Sequence, residues 1–144
     1  MFRSIIVATD GTDAAERAVT LAAQLAAKHG ATLTAVTVVE PYPYSGVGES
    51  SAIAGADHRA SVGAQASGRL ARARELADAA GSACATSMRE SAEVYQGVLA
   101  AAEQHAADLI VMGSRGRSAM VSRLLGSQAQ QVLANTTLPV LVVQ

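Results

Sequence analysis

The stretch "SIIVATDGTDAAERAVTLAAQLAAKHGATLTAVTVV", residues 4–39, decides how the rest of the chain is read. Its first part, "SIIVAT" (4–9), is a β-branched apolar run closed by "DGT", the pattern of a buried strand ending in a turn. "DAAERAVTLAAQLAAKHG" (13–30) has helical spacing, with Val19, Ala22, Leu25 and Ala26 on one face and Gly30 as its stop. Thr12 or Asp13 is the N-cap, and if it is Asp13, Glu16 completes a capping box. "ATLTAVTVV" (31–39) is a second apolar strand.

The alternation continues outward. "EPYPYSGVGESSAIAGADH" (40–58), with two Pro and three Gly, exceeds an ordinary connection and reads as a lid, an interface arm or a linker. A helix is expected from about 61 to 80, where Val62, Ala66, Leu70, Ala73 and Ala77 recur at helical spacing. "ACATSM" (83–88) is a weakly marked strand, 91–106 is helical despite Gly97, and "ADLIVMG" (107–113) is a strongly marked strand. A short helix over 127–135 and the strand "LPVLVV" (138–143) end the series, with Pro139 where a missing N–H costs least. Strands alternating with helices, and mostly continuous in apolar residues, predict an α/β fold: an open, doubly wound parallel sheet with helices on both faces. Ligands in such sheets sit beyond the C-terminal strand ends, near the switch in strand order. The loops "TDGT" and "VMGSRG" after the first and fourth strands are therefore the ones to inspect.

Bulk properties narrow the class. The 144 residues suit one domain with a real core, half of them are apolar, and the formal net charge is −1. That balance argues against binding nucleic acid non-specifically. A single cysteine, Cys84, permits no internal disulfide and gives no metal-ligand spacing. No stretch approaches a membrane span, and the five-residue apolar run near the start is too short for a signal-peptide core. A soluble, cytoplasmic protein without a membrane or nucleic-acid partner is expected.

"MGSRGRSAMVSRLLGSQ" (112–128) has the form G-x-x-G-x9-G-S, with Gly113, Gly116, Gly126 and Ser127. Gly113 ends the fourth strand, Gly116 permits a tight turn, and Gly126 and Ser127 open the last helix, where unpaired amides and the dipole favour an anion. Phosphate fits this arrangement, as does a plain glycine-rich turn with a helix cap. It is no Walker motif, since Lys28 is the only lysine, and it does not follow the first strand as a dinucleotide fingerprint does.

With "IIVATDGT", "ADLIVMGSRGRS", "LLGSQAQQVL" and the closing "PVLVV" in this order, the chain resembles the universal stress protein family over nearly its whole length. The resemblance implies one nucleotide-binding domain over 1–144 with a variable loop at about 40–60. It implies five parallel strands in the order 3-2-1-4-5, and homodimers in which the last strands, 138–143, meet antiparallel. In the ATP-binding branch, Gly113, Gly116, Gly126 and Ser127 would meet phosphates and ribose. Asp10 would lie near adenine, ribose or a phosphate-bound metal. Val38 or Val39 would offer backbone groups to the adenine edge, Met112 would pack near the nucleoside, and Arg115 and Arg117 would neutralise phosphate charge. The neighbours Thr9, Gly11 and Gln128 complete the implied cofactor-binding set. The family often has Asp-Pro before the third helix; here the segment is "RESAEV", so that loop is expected to differ in shape.

Asp10 is also the natural Mg²⁺ ligand through bound phosphates, or else a residue closing the turn. No second acidic residue in the site loops supplies a base for hydrolysis, so no catalytic residue is assigned and any ATPase activity is expected to be slow. His29 and His105 fall near helix C-termini, where cations are favoured. The leading expectation is a dimeric stress-response protein binding ATP (or ADP or AMP, with Mg²⁺) and regulating an unidentified protein partner. The alternatives are a nucleotide-independent interaction protein and a slow Mg²⁺-dependent ATP hydrolase.

Overall fold

The computed structural model describes residues 1–41, 48–115 and 124–144, with the side chains of 49–51 set aside. Nine elements alternate along the chain: β1 (Ser4–Ala8), α1 (Asp13–His29), β2 (Thr32–Val39), α2 (Glu49–Ala79), β3 (Ala85–Glu90), α3 (Val94–Gln104), β4 (Leu109–Gly113), α4 (Ser127–Asn135) and β5 (Val140–Val143). The strands form one sheet in the order β3-β2-β1-β4-β5, and every pairing is parallel. The fold is the expected single-domain, doubly wound α/β sheet. Its order reverses between β1 and β4, which opens the crevice where ligands collect in such sheets.

Alternation along the strands sends side chains to two cores. Ile5, Val7, Leu33, Ala35, Leu109 and Val111 pack under α1 and α2. Ile6, Val36, Ile110 and Met112 pack under α3 and α4. The α1 face is almost all alanine: Ala14, Ala15, Ala18, Ala22, Ala23 and Ala26 are buried with Val19. Such short side chains bring the helix axis close to the sheet, and that closeness compensates for the lack of large core residues. Of the two candidate caps, Thr12 is the one used. Its Oγ1 accepts from the Ala15 amide at 3.3 Å, and Asp13 becomes the first helical residue. Gly30 ends the helix in the left-handed region, φ 65°, as a glycine stop requires.

The expected start of the second helix is corrected. It begins at Glu49 rather than about 61, so most of the segment read as a connection is helix. Ala52, Ala54, Ala56 and Ala60 are strong helix formers, and their propensity outweighs the glycine and serine that suggested a loop. A helix of 31 residues is roughly 46 Å long. Its buried alanines and leucine, Ala66, Leu70, Ala73 and Ala77, occupy only the C-terminal half. The rest of the variable loop expected over 40–60 falls on residues 42–47, which lie outside the described residues. No described helix is long and apolar enough to cross a membrane.

Candidate functional site

Two loops meet at the switch point. The β1–β2 register pairs Ala8 with Val36, and the Thr9 amide extends the ladder by donating to the Val36 carbonyl at 2.8 Å. On the other side Val7 pairs with Val111, which sets Thr9 and Asp10 beside Gly113 and Ser114. The β1 turn braces itself with its own polar side chains. Thr9 Oγ1 accepts from the Gly11 amide at 3.3 Å, and Asp10 Oδ1 accepts from the Thr12 amide at 3.0 Å and hydroxyl at 2.6 Å. These bonds close an Asx-type turn, and they leave Oδ2 outside both. Gly11 has φ +81°, a conformation that favours glycine.

Across the crevice, Gly113 pairs with Val143, and the Ser114 amide donates to the Val143 carbonyl at 2.7 Å. The Ser114 carbonyl then accepts from the Gly126 amide at 2.6 Å, pinching together the two ends of the glycine loop. That bond delivers the start of α4 to the strand ends. Gly126 caps α4 in extended backbone with no side-chain hydrogen bond, and the first intrahelical bond runs from Gln130 N–H to Gly126 C=O at 3.0 Å. The amides of Ser127, Gln128 and Ala129 precede that bond, so helix geometry gives them no intrahelical acceptor. Ser127 is exposed and Arg115 half-buried. Gly116 and Arg117 lie outside the described residues.

Several residues nominated from sequence have side chains employed elsewhere. Met112 is 6 % exposed and belongs to the core under α3 and α4. Val38 packs against α3, where a Cβ on Gly97 would lie 2.6 Å from its Cγ2. The Val39 carbonyl accepts from the Ser91 amide at 3.0 Å. The Gln128 amide group reaches α3: its Oε1 accepts from Tyr95 N–H at 2.9 Å and its Nε2 donates to Glu93 Oε2 at 3.4 Å. It thus serves as a cap for a helix whose own N-cap, Glu93, makes no side-chain capping bond to it. The backbones of Met112 and Gln128 still border the crevice.

Sequence reading missed two neighbours of this site. The Arg69 stem, from α2, crosses the β1 turn: a Cβ on Gly11 would lie 3.2 Å from its Cγ. Thr37, one residue beyond the Val36 carbonyl that holds Thr9, is 1 % exposed, and its Oγ1 has no hydrogen-bond partner among the described residues. Neither residue belongs to a local motif, since long-range packing of α2 and β2 brings them here. Hollows of about 420 Å³ against α1 (lined by Glu16, Arg17 and Leu76 among others) and about 400 Å³ between α3 and α4 lie away from this crevice.

An ATP-type ligand fits the chemistry of the described residues. The open first turn of α4 suits a phosphate, and the tight Gly11 turn leaves little bulk opposite it. Among the described residues no cluster of three His, Cys, Asp or Glu side chains is arranged to hold a metal.

Comparison with known proteins agrees with this architecture. The model of the universal stress protein family matches residues 1–144. The chain is 38 % identical over 149 residues to a universal stress protein from the QAH/OAS sulfhydrylase 3′ region of Thermus aquaticus, with all of both chains covered. It is 32 % identical over 145 residues to a universal stress protein of Methanocaldococcus jannaschii, covering all of this chain and 83 % of that one. A crystal structure of a universal stress protein in complex with cAMP matches with a TM-score of 0.78 at 29 % identity, over 99 % of this chain and 97 % of the other.

Proposed function

The chain belongs to the universal stress protein family, and on that premise we propose that it binds an adenine nucleotide between the ends of β1 and β4. The observation that carries this reading is the Gly126–Ser114 bond, which holds the open N-terminus of α4 beside the Thr9–Thr12 turn. Phosphates would lie against the amides of Ser127 and Gln128, with Gly113, Gly116 and Gly126 keeping bulk away. Arg115 and Arg117 would offset their charge, and Mg²⁺, when present, would join the phosphates to Asp10. Adenine would extend toward the end of β2, where the Val38 backbone offers hydrogen-bonding groups, the Val39 carbonyl being taken by the Ser91 amide. ATP is the leading ligand, with ADP and AMP sharing the same phosphate chemistry. The cAMP bound to the solved relative makes cyclic nucleotides part of the comparison.

The regulatory part of the reading is a cytoplasmic homodimer whose nucleotide state alters its shape or its choice of protein partner. β5 supports it: this strand is the sheet edge, and its residues Val140, Leu141, Val142 and Val143 are half-buried in the single chain. An apolar edge strand is an aggregation hazard unless something pairs with it, and antiparallel pairing with a second copy would remove that hazard.

The deciding experiment is mass spectrometry of small molecules released from the purified protein, followed by calorimetric titration of ATP and cAMP with and without Mg²⁺. Recovered nucleotide, or micromolar binding lost in Gly126→Leu, is the expected result. Absence of both nucleotide and binding heat would overturn the reading.

A further inference from the structure

Two helices open side by side at the C-terminal edge of the sheet. α3 follows β3, α4 follows β4, all the strands run parallel, and both helices cover the face that carries Ile6, Val36 and Ile110. Among the described residues neither helix is capped by its own N-cap side chain: Glu93 makes no capping bond, and Gly126 has no side chain to make one. In α3 the first intrahelical bond runs from Gly97 N–H to Glu93 C=O at 3.3 Å. The amides of Val94, Tyr95 and Gln96 precede it and have no acceptor within the helix. Two neighbouring helix starts also bring two positive dipole ends together, which favours an acceptor placed between them.

Gln128 supplies that acceptor from the first turn of α4. Its Oε1 accepts from Tyr95 N–H at 2.9 Å and its Nε2 donates to Glu93 Oε2 at 3.4 Å, while its backbone amide stays with the open turn of α4. The other tether of this turn is the Gly126 N–H bond to the Ser114 carbonyl at 2.6 Å. One tether fixes where α4 begins; the second, to α3, fixes how its first turn is angled. We propose that Gln128 is a positioning residue for the bound phosphate: its side chain aims the first-turn amides of α4 from α3, and phosphate binding in return tightens the first turn of α3. This rests on the nucleotide reading above. The coupling is reciprocal, because whatever α3 adds to phosphate affinity the phosphate returns as order in α3. Ala92, Glu93 and Gln96, at the opening of α3, are exposed, so occupancy of the site is relayed to the surface there.

The test is calorimetric titration of adenosine, AMP and ATP into the wild-type protein, Gln128→Met and the double variant Gln128→Glu with Glu93→Gln. Amide hydrogen exchange of α3 is measured with and without ATP. Methionine keeps the length of the side chain and removes both bonds, whereas the double variant exchanges carboxamide and carboxylate and can form both at unchanged net charge. AMP and ATP should bind Gln128→Met roughly three- to tenfold more weakly, the worth of about one hydrogen bond. Adenosine affinity should not change, and the double variant should recover most of the loss. ATP should slow exchange at the Tyr95 amide in wild type and not in Gln128→Met. Undiminished ATP affinity in Gln128→Met, or Tyr95 exchange that ATP leaves unaltered in wild type, overturns the proposal while the nucleotide reading stands. Equal weakening of adenosine and ATP also overturns it, because Gln128 would then act through the fold. Should Gln128→Met fail to fold, the exchange comparison in wild type decides alone. If wild type binds none of the three ligands, the nucleotide reading fails and the proposal with it.

Discussion

Gly97 on α3 lies directly against Val38 on β2: a Cβ at position 97 would sit 2.6 Å from Val38 Cγ2 and 2.8 Å from Cγ1. A β-branched side chain on a strand has little freedom to turn away. This contact explains a glycine that otherwise weakens its helix by about 0.5–1 kcal/mol relative to alanine. Gly97→Ala should therefore destabilise, by about 1–3 kcal/mol of overpacking, despite its better helix propensity. Urea denaturation of Gly97→Ala, Val38→Ala and the double variant checks the cause. In the Val38→Ala background the added methyl should cost almost nothing, and simple additivity would refute the contact as the reason.

Gly113 meets a less forgiving neighbour. Its Cβ would lie 3.1 Å from the Ala14 carbonyl carbon and 3.2 Å from the Ala15 nitrogen. These are helix backbone atoms, so relief requires moving the start of α1 off β4. Gly113→Ala should lose about 1–3 kcal/mol of stability and weaken nucleotide binding, because Thr12 and the Asp10 turn move with α1. A variant of wild-type stability in urea would show that the helix yields easily.

Thr37 offers the opposite sign. Its hydroxyl is buried and has no partner among the described residues, and valine has the same shape without the polar atom. Thr37→Val is expected to raise stability by about 1 kcal/mol, the cost of a desolvated hydroxyl. A lower urea midpoint would mean that the hydroxyl finds a partner in solution.

Asp108 makes the fold sensitive to acid. The Arg3 amide, at 2.8 Å, holds its carboxylate below the usual carboxylate range, and the Ser4 amide at 3.1 Å adds to that effect. A depressed folded pKa contributes stability that is present above the unfolded value of about 3.9 and is lost as pH falls through the folded value. Asp108→Asn should be less stable than wild type at pH 7, with the two curves converging below about pH 4. A gap that persists unchanged at pH 3 would assign its origin to packing rather than charge.

Much of the fold was legible because local rules and the global arrangement agree. "SIIVA", "TLTAVTVV" and "LIVMG" are apolar strands, α1 has a one-sided alanine face, and Gly30 stops it. Alternation of such elements leaves a parallel sheet with helices on both faces as the economical solution. The Thr9–Thr12 turn and the opening of α4 were legible for the same reason, since turn and cap chemistry is written in adjacent residues. The start of α2 was misread because glycine, serine and alanine are mixed there, and single residues do not report the summed propensity of a long helix.

What only tertiary structure decided are the contacts between residues far apart in the chain. Gln128 follows Gly126 and Ser127 at the opening of α4, and its side chain caps α3 through Tyr95 and Glu93. Met112 lies at the strand end nearest the crevice, but the pleat turns it into the core. Arg69 stands 58 positions from Gly11 and reaches it because α2 packs back across β2 toward the β1 turn. Sequence patterns determine which segments become strand or helix, because those preferences come from bonds and side chains within a few residues. Which side chain ends at the site depends on how close two faces pack, and that distance is set by the glycines and alanines between them.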